Sequence, residues 1–187
     1  MKTKLLSGII FSFCTVWSTV LPAQFIVAQW EHSLALCSDS TVNVWGNNLY
    51  GQLGTGNNSD SNVPVQVGGL MGVTSLAGGF YHSLALKNDG TVWAWGRNDD
   101  GQLGTGNNLN SNVPLQVSGL TGIVAISGSG YHSIALRNDS TIWTWGRNDY
   151  GQLGNGNNNS SNVPVQVNGL SGITAIAGAY YHCVVLR

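Results

Sequence analysis

The sequence has very few charged side chains. Only 8% of its 187 residues are Asp, Glu, Lys or Arg, against roughly a quarter in an ordinary globular protein. The net charge is -1, so no basic excess is present to neutralise a phosphate backbone, which argues against nucleic acid as a partner. Hydrophobic residues make up 42% of the chain, which separates it from acidic disordered tails. The protein surface must therefore consist largely of neutral polar groups.

Motifs that carry catalysis or metal binding are also missing. No Gly-x-Ser-x-Gly segment offers a hydrolase nucleophile. Glu31, the only glutamate, has no carboxylate partner at the spacing that glycoside hydrolysis needs. We therefore predict no catalytic residue, no metal site and no cofactor, and a protein that is not an enzyme. The aspartates that lack the close spacing of a calcium loop are Asp60, Asp99, Asp100 and Asp149.

The N-terminus has the three-part pattern of a secretory signal peptide. Residues 1–4 are cationic, residues 5–21 carry no charge, and Pro22-Ala23 supplies a helix break and a small residue for cleavage. We predict a signal peptide over residues 1–23, a secreted or cell-surface location, and no stable membrane span after cleavage. The alternative is an uncleaved anchor, because the apolar segment just reaches the length that spans a bilayer.

The rest of the chain repeats with a period of 50 residues. Comparison of residues 88–137 with 138–187 gives 33 identities in 50 positions without a gap. Such a period indicates an array or a propeller. The histidines recur in one local context, which predicts a structural role in which a ring nitrogen bonds neighbouring backbone. They are His32, His82, His132 and His182.

Each unit has the pattern of four short strands. Residues 82–86 alternate apolar with small or polar side chains, Asn88-Asp89-Gly90 predicts a tight turn, and residues 91–95 are rich in β-branched and aromatic side chains. Further strands are predicted over 113–117, with Pro114 near its start, and over 123–126. Four short antiparallel strands in about 50 residues form one blade of a β-propeller.

These residues resemble the regulator of chromosome condensation repeat. The resemblance is carried by His-Ser-Leu-Ala-Leu, Asn-Asp-Gly-Thr-Val-Trp-Ala-Trp-Gly-Arg-Asn, Gly-Gln-Leu-Gly-Thr-Gly and Pro-Leu-Gln-Val, and it covers nearly all of residues 24–187. It implies a propeller of seven such blades, used as a rigid disc that binds other proteins through one face. We divide residues 24–187 into a partial unit, 24–37, and three units, 38–87, 88–137 and 138–187.

About three of the seven blades that the resemblance implies are present. The fold class predicted is therefore all-β, a partial β-propeller that forms an open arc rather than a closed ring. An open arc leaves unpaired strand edges, which favour self-association. We interpret the chain as a fragment of a longer protein. A disulfide between Cys37 and Cys183 would need a ring that brings the first and last strands together.

Repeat positions that differ between units indicate where a binding face lies, because the scaffold does not require them. Aromatic side chains at such positions favour protein recognition, and packing between blades is the alternative. We predict a non-catalytic protein-interaction module. A structural spacer of a larger surface adhesin and an inhibitor of a secreted enzyme are the alternatives. The candidate protein-binding residues are Trp30, Tyr50, Phe80, Tyr150 and Tyr180.

Overall fold

The computed structural model describes residues 23–187, and within this range all regular structure is β-strand. The predicted signal peptide lies, up to Pro22, outside the described residues. No helix in the described range has the length and apolarity needed to cross a bilayer. The strands are β1 Ala23–Ala28, β2 His32–Cys37, β3 Val42–Gly46, β4 Ser61–Gln66, β5 Val73–Gly78, β6 His82–Lys87, β7 Val92–Gly96, β8 Ser111–Gln116, β9 Ile123–Gly128, β10 His132–Arg137, β11 Ile142–Gly146, β12 Ser161–Gln166, β13 Ala175–Gly178 and β14 Cys183–Leu186.

The strands form three four-stranded antiparallel sheets and one two-stranded sheet. The strand orders are β1-β2-β3-β4, β5-β6-β7-β8, β9-β10-β11-β12 and β13-β14. Each sheet is one blade, and β1, β5, β9 and β13 lie in sequence along the inner side of the arc. None of the described sheets closes on itself, which confirms the prediction of an all-β, partial propeller of about three blades.

The outer strand of each blade starts earlier than the sequence predicts. β8 begins at Ser111, so Pro114 is the fourth residue of the strand rather than a residue near its start. The pyrrolidine ring of Pro114 is tolerated because β8 is an edge strand that pairs only with β7, and the β7–β8 ladder is irregular between Ala94 and Gly96. The missing N–H of proline therefore removes no regular ladder hydrogen bond.

The hydrophobic core lies between blades rather than within them. At the first junction, Leu34, Val44 and Leu53 of the first blade pack with Leu76 and Trp95 of the second. The second junction repeats this packing with residues 50 positions later, including Trp145. Since sheets bury their faces against neighbouring sheets, each blade is stabilised mainly by the blades beside it.

A polar relay joins consecutive blades at the buried histidines. Ser83 Oγ donates a hydrogen bond to the carbonyl of Gln52 at 2.9 Å and lies 2.9 Å from His32 Nε2. Because the serine hydrogen is used on the carbonyl, His32 Nε2–H is the donor to Ser83 Oγ. Trp95 Nε1 donates to the same carbonyl at 2.8 Å. The next junction repeats the relay with His82, Ser133, Gln102 and Trp145.

The structural role predicted for the histidines agrees with this relay, but the expected backbone partner of the ring was wrong. The partner is a side chain of the next blade, 51 residues away. No local pattern reveals it, because serine directly follows each of the first three histidines in the chain, whereas the side chain that contacts Nε2 of each of these rings belongs to the following unit.

Neither described cysteine is in a disulfide. Cys37 is buried in the first blade, where Asn43 Nδ2 donates to its sulfur at 3.2 Å. Cys183 takes the place of the relay serine at the third junction, 3.1 Å from His132 Nε2. The open arc thus holds the two thiols in separate environments at its opposite ends, as expected for an arc rather than a ring.

Self-association through open edges stays a prediction. Within residues 23–187, β14 pairs with β13 alone. Val184 and Leu186 on this strand are 56% and 63% exposed, whereas Leu84 and Leu86 at the same repeat positions are 0% and 4% exposed.

Two serines occupy the left-handed backbone region at the tight turns. Ser40 and Ser140 have φ of 64° and 65°, and the second unit has Gly90 there with φ of 77°. Because a side chain is disfavoured in this region, we expect Ser140→Gly to raise the free energy of unfolding by about 0.5–1 kcal/mol. Urea denaturation measures this change. Ser118→Gly, at an exposed position without positive φ, should not stabilise, and equal gains at both sites would contradict the explanation.

Candidate protein-binding face

The antiparallel order of each blade gathers its variable loops at one end. The turn after the first strand and the long loop after the third strand lie at the same end, because successive strands run in opposite directions. We call it the aromatic end. It comprises residues 29–31, 79–81, 129–131 and 179–181 with loops 47–60, 97–110 and 147–160. The opposite end, with the tight turns such as 38–41, is the turn end.

Phe80 lies at the centre of a group of aromatic rings at the aromatic end. Its ring centroid is 5.1 Å from that of Trp30, 5.5 Å from that of Tyr131 and 4.8 Å from that of Tyr180. The contacts with Tyr131 and Tyr180 are edge-to-face, an arrangement that the aromatic quadrupole favours. Rings from four consecutive blades therefore meet at one residue.

Gly130 makes this meeting possible. It occupies the repeat position that holds Trp30, Phe80 and Tyr180 in the other units. A Cβ at Gly130 would lie 3.7 Å from the ring of Phe80 and 3.1 Å from the backbone oxygen of Tyr180. A large side chain there would enter the space in which Phe80 and Tyr180 touch.

The remaining rings extend the group in two directions. Tyr50 contacts Tyr81 at 5.2 Å on one side, and Tyr150 contacts Tyr181 at 5.2 Å on the other. Tyr180 and Tyr181 connect the second pair to Phe80. All five residues predicted from the sequence thus lie in one continuous group, here named the aromatic cluster. Its members are Trp30, Tyr50, Phe80, Tyr81, Tyr131, Tyr150, Tyr180 and Tyr181.

Two arginines complete the cluster and were not among the predicted residues. The guanidinium of Arg97 lies 5.1 Å from the ring of Tyr50 and 5.5 Å from that of Tyr131, within the range of a cation–π interaction. The guanidinium of Arg147 also lies 5.5 Å from the ring of Tyr131. Each arginine also pairs with the aspartate two residues later, Asp99 or Asp149.

The cluster is partly buried and partly open to solvent. Trp30, Tyr150 and Tyr180 are 65%, 69% and 44% exposed, whereas Phe80 and Tyr50 are half-buried. Both sequence interpretations, recognition and packing, therefore apply to different members of one group. Solvent-exposed rings supported by half-buried ones make a contiguous apolar patch, which is uncommon on a surface without a partner.

The loops that carry the tyrosines are held by buried asparagines. Asn98 Nδ2 donates to the carbonyls of Asn107 and Leu109 at 2.8 and 3.1 Å, and its Oδ1 accepts from the backbone of Leu103 at 2.9 Å. Asn48 and Asn148 repeat these bonds. The neutral polar composition of the sequence thus satisfies loop backbone groups and fixes the loops of the aromatic end.

The third junction places a thiol, an imidazole and a hydroxyl in a row. Ser129 Oγ lies 2.6 Å from His132 Nδ1, and His132 Nε2 lies 3.1 Å from Cys183 Sγ. Burial raises the pKa of Cys183 to about 12 and lowers the pKa of His132 to about 4. Both groups are therefore neutral near pH 7, unlike the thiolate of a nucleophilic cysteine. Within residues 23–187, no group of three His, Cys, Asp or Glu side chains is placed to hold a metal ion.

The sequence model of the regulator of chromosome condensation (RCC1) repeat matches residues 39–86, 89–136 and 139–186. A second model of this repeat matches residues 73–102 and 123–152. Among curated proteins, the Ultraviolet-B receptor UVR8 of Arabidopsis thaliana is 50% identical over 42 residues, which are 22% of this chain and 10% of that receptor.

Solved structures of this type share the fold. Human WBSCR16 matches with a TM-score of 0.80 and 28% identity, over 89% of this chain and 45% of its own. Prp20p from Saccharomyces cerevisiae, described with its binding to Gsp1p and histones, matches with a TM-score of 0.79 and 21% identity, over 87% of this chain and 43% of its own. The chain spans less than half the length of these proteins.

Proposed function

Because the chain belongs to the regulator of chromosome condensation (RCC1) repeat family, we propose that it is a non-catalytic protein-interaction module. The single observation that carries this proposal is the aromatic cluster, in which four exposed rings form one continuous group with half-buried rings on fixed loops. Aromatic side chains bury a large area at low cost in conformational entropy and dominate protein interfaces. The match to Prp20p, described as binding Gsp1p and histones, adds support for a protein partner.

The non-catalytic part of the proposal is supported by the chemistry of the described residues. The buried thiol of Cys183 and the imidazole of His132 are both neutral, and they occupy the positions of a relay that joins blades elsewhere. A pair in this state offers neither a thiolate nucleophile nor a charged acid.

The proposed location is outside the cell or at its surface. It is supported by the cationic, apolar and small-residue pattern of residues 1–23. Expression of the full chain in a secreting host tests it. Protein in the medium whose N-terminal sequence begins near Gln24 is expected, and full-length protein kept in the membrane fraction would contradict cleavage and favour the anchor.

The binding proposal is tested by removing the predicted rings. We expect Ala at all five positions to weaken partner binding at least about tenfold, because buried aromatic side chains are the usual binding hot spots. The immobilised protein and its variant are exposed to culture medium and surface extracts, and bound proteins are quantified by mass spectrometry. The substituted residues are Trp30, Tyr50, Phe80, Tyr150 and Tyr180.

A matched variant controls for the loss of exposed apolar area. It carries Ala at residues of the outer strands and the turn end, and we expect it to bind like the unchanged protein. Circular dichroism of both variants establishes that they remain folded. Equal partner recovery by all three proteins would reject the aromatic cluster as the binding face and would favour a spacer role. The control positions are Val63, Met71, Val113 and Val163, all outside the cluster.

A further inference from the structure

The charge of the described residues is divided unevenly between the two ends of the blades. At the turn end, three basic and three acidic side chains balance: Lys87, Arg137 and Arg187 against Asp39, Asp89 and Asp139. At the aromatic end, two arginines stand against five carboxylates, a side-chain charge of -3. The whole negative excess of residues 23–187 therefore lies at the end that carries the aromatic cluster. Its charged residues are Arg97, Arg147, Glu31, Asp60, Asp99, Asp100 and Asp149.

The two arginines of the aromatic end are already engaged. Arg97 pairs with Asp99 at 2.7 Å, and Arg147 pairs with Asp149 at 2.6 Å. Their guanidinium groups also lie over tyrosine rings. These pairs neutralise two carboxylates, and they leave little cationic surface to attract an anionic partner.

Three carboxylates make up the remaining excess. Glu31 and Asp60 are exposed, and Asp100 is half-buried and interacts electrostatically with both arginines. Glu31 follows Trp30 in the chain and acts electrostatically on Tyr81, whose pKa is raised first by burial and further by this carboxylate. Glu31 is thus adjacent to the rings, and Asp60 and Asp100 lie in the loops of the same end.

Tyrosine rings of the cluster make cation–π contacts with an arginine of the protein itself. The guanidinium of Arg97 lies between 5.1 and 5.9 Å from three tyrosine rings. Among the described residues, no arginine or lysine is seated on Trp30, Tyr150 or Tyr180, which are the most exposed rings of the cluster. A cation from a partner can occupy them in the way that Arg97 occupies the inner rings.

Resting on the proposed function, we propose that the partner presents a cationic segment, rich in Arg and Lys, to the aromatic end. The carboxylates attract the segment as it approaches, and the exposed rings receive its cationic side chains. Complementary charge of this kind raises the association rate and weakens with salt, because exposed charges are screened over about 10 Å at 0.1 M ionic strength.

Fluorescence anisotropy with two labelled peptides tests this inference. One probe is a synthetic peptide of Arg, Lys, Gly and Ser, and the other has Glu and Asp in place of every Arg and Lys. We expect the cationic probe to bind and the anionic probe not to bind. Raising the salt from about 50 to about 200 mM should weaken the cationic complex several-fold. Equal binding of the two probes, or binding of neither, would overturn the proposal.

Charge-neutral variants locate the binding at the aromatic end. The triple variant Glu31→Gln, Asp60→Asn and Asp100→Asn should weaken the cationic complex at least about tenfold. Asp60→Asn keeps the loop intact, since Asn110 holds the same bond in the next unit, its Oδ1 accepting from Asn98 N at 2.7 Å. An unchanged affinity of this variant would also overturn the proposal.

The control removes the same charge from the turn end. It carries Asp39→Asn, Asp89→Asn and Asp139→Asn, and it should bind the cationic probe like the unchanged protein. Failure of the cationic-partner proposal is distinguishable from failure of the proposed function. Capture of a partner could depend on the five rings but not on salt or on the three carboxylates Glu31, Asp60 and Asp100. That result would support the aromatic cluster as the binding face and would reject only the proposal that the partner is cationic.

Discussion

Trp95→Ala is expected to lower the free energy of unfolding by about 3–5 kcal/mol, the usual cost of removing a large buried aromatic side chain. The indole is 0% exposed in the core between the first two blades. It packs on Gly54, where a Cβ would lie 2.8 Å from the indole, and its Nε1 donates to Gln52 O at 2.8 Å. Alanine would leave a cavity at a junction and remove one donor from the relay carbonyl.

Trp45→Ala is the matched control for this change. Trp45 occupies the same repeat position in the first blade, but it is only half-buried, since no described blade precedes it. We expect its loss to cost about 1 kcal/mol, because little apolar area leaves contact with the protein. Urea denaturation of both variants measures the difference. Equal losses would show that the packing within a blade, rather than the junction, gives Trp95 its effect.

The second large effect is a loss of stability in mild acid. Burial lowers the pKa of His32 to about 4, that of His82 to about 3 and that of His132 to about 4, from an ordinary value of 6.5. Below pH 6.5 the unfolded chain therefore binds protons that the folded protein does not. The contribution of the neutral histidine side chains to the free energy of unfolding is fully present above pH 6.5 and is lost as the pH falls towards 4.

The slope of this loss is measurable. Each buried histidine contributes up to about 1.4 kcal/mol per pH unit within the window, so three of them amount to several kcal/mol, comparable with the stability of a whole domain. Urea denaturation at intervals between pH 7 and pH 4 gives the slope. His82→Gln, which keeps a donor towards Ser133, should reduce the slope by about one third.

The fourth histidine supplies the control. His182 occupies the same repeat position, but its ring is exposed and lies outside the relay. The variant His182→Gln should therefore retain the slope of the unchanged protein. A slope that fell equally in both variants would assign the acid sensitivity to groups other than the buried rings.

The fold was predictable from the sequence because its signals are local and repeated. The alternation of residues 82–86, the turn at Asp89-Gly90 and the period of 50 residues all point to the same four-stranded blade. Pro114 was misplaced within its strand, because tolerance of proline depends on which strand forms the sheet edge and where the ladder is irregular. The histidine partners were missed for a related reason, since they lie one unit away.

The candidate site was predictable only in part. Variation between units identified Trp30, Phe80 and Tyr180, but it passed over Tyr131 because tyrosine recurs there in three of the four units. A residue common to the units can be both scaffold and surface, and sequence comparison cannot separate the two roles. The contribution of Gly130 was invisible as well, because a missing side chain acts only through the neighbours that fill its space.

Gly130 also has an evolutionary consequence. The first two junctions use the same set of contacts, so duplication or deletion of a 50-residue unit between them would create no new kind of interface. The scaffold is therefore largely indifferent to the number of its units. The aromatic cluster depends on the number of units. The contact between Phe80 and Tyr180 crosses the intervening unit, which has Gly130 at the same repeat position as these two rings. Natural selection on the count of units would act through the binding face, while the framework could lengthen or shorten freely.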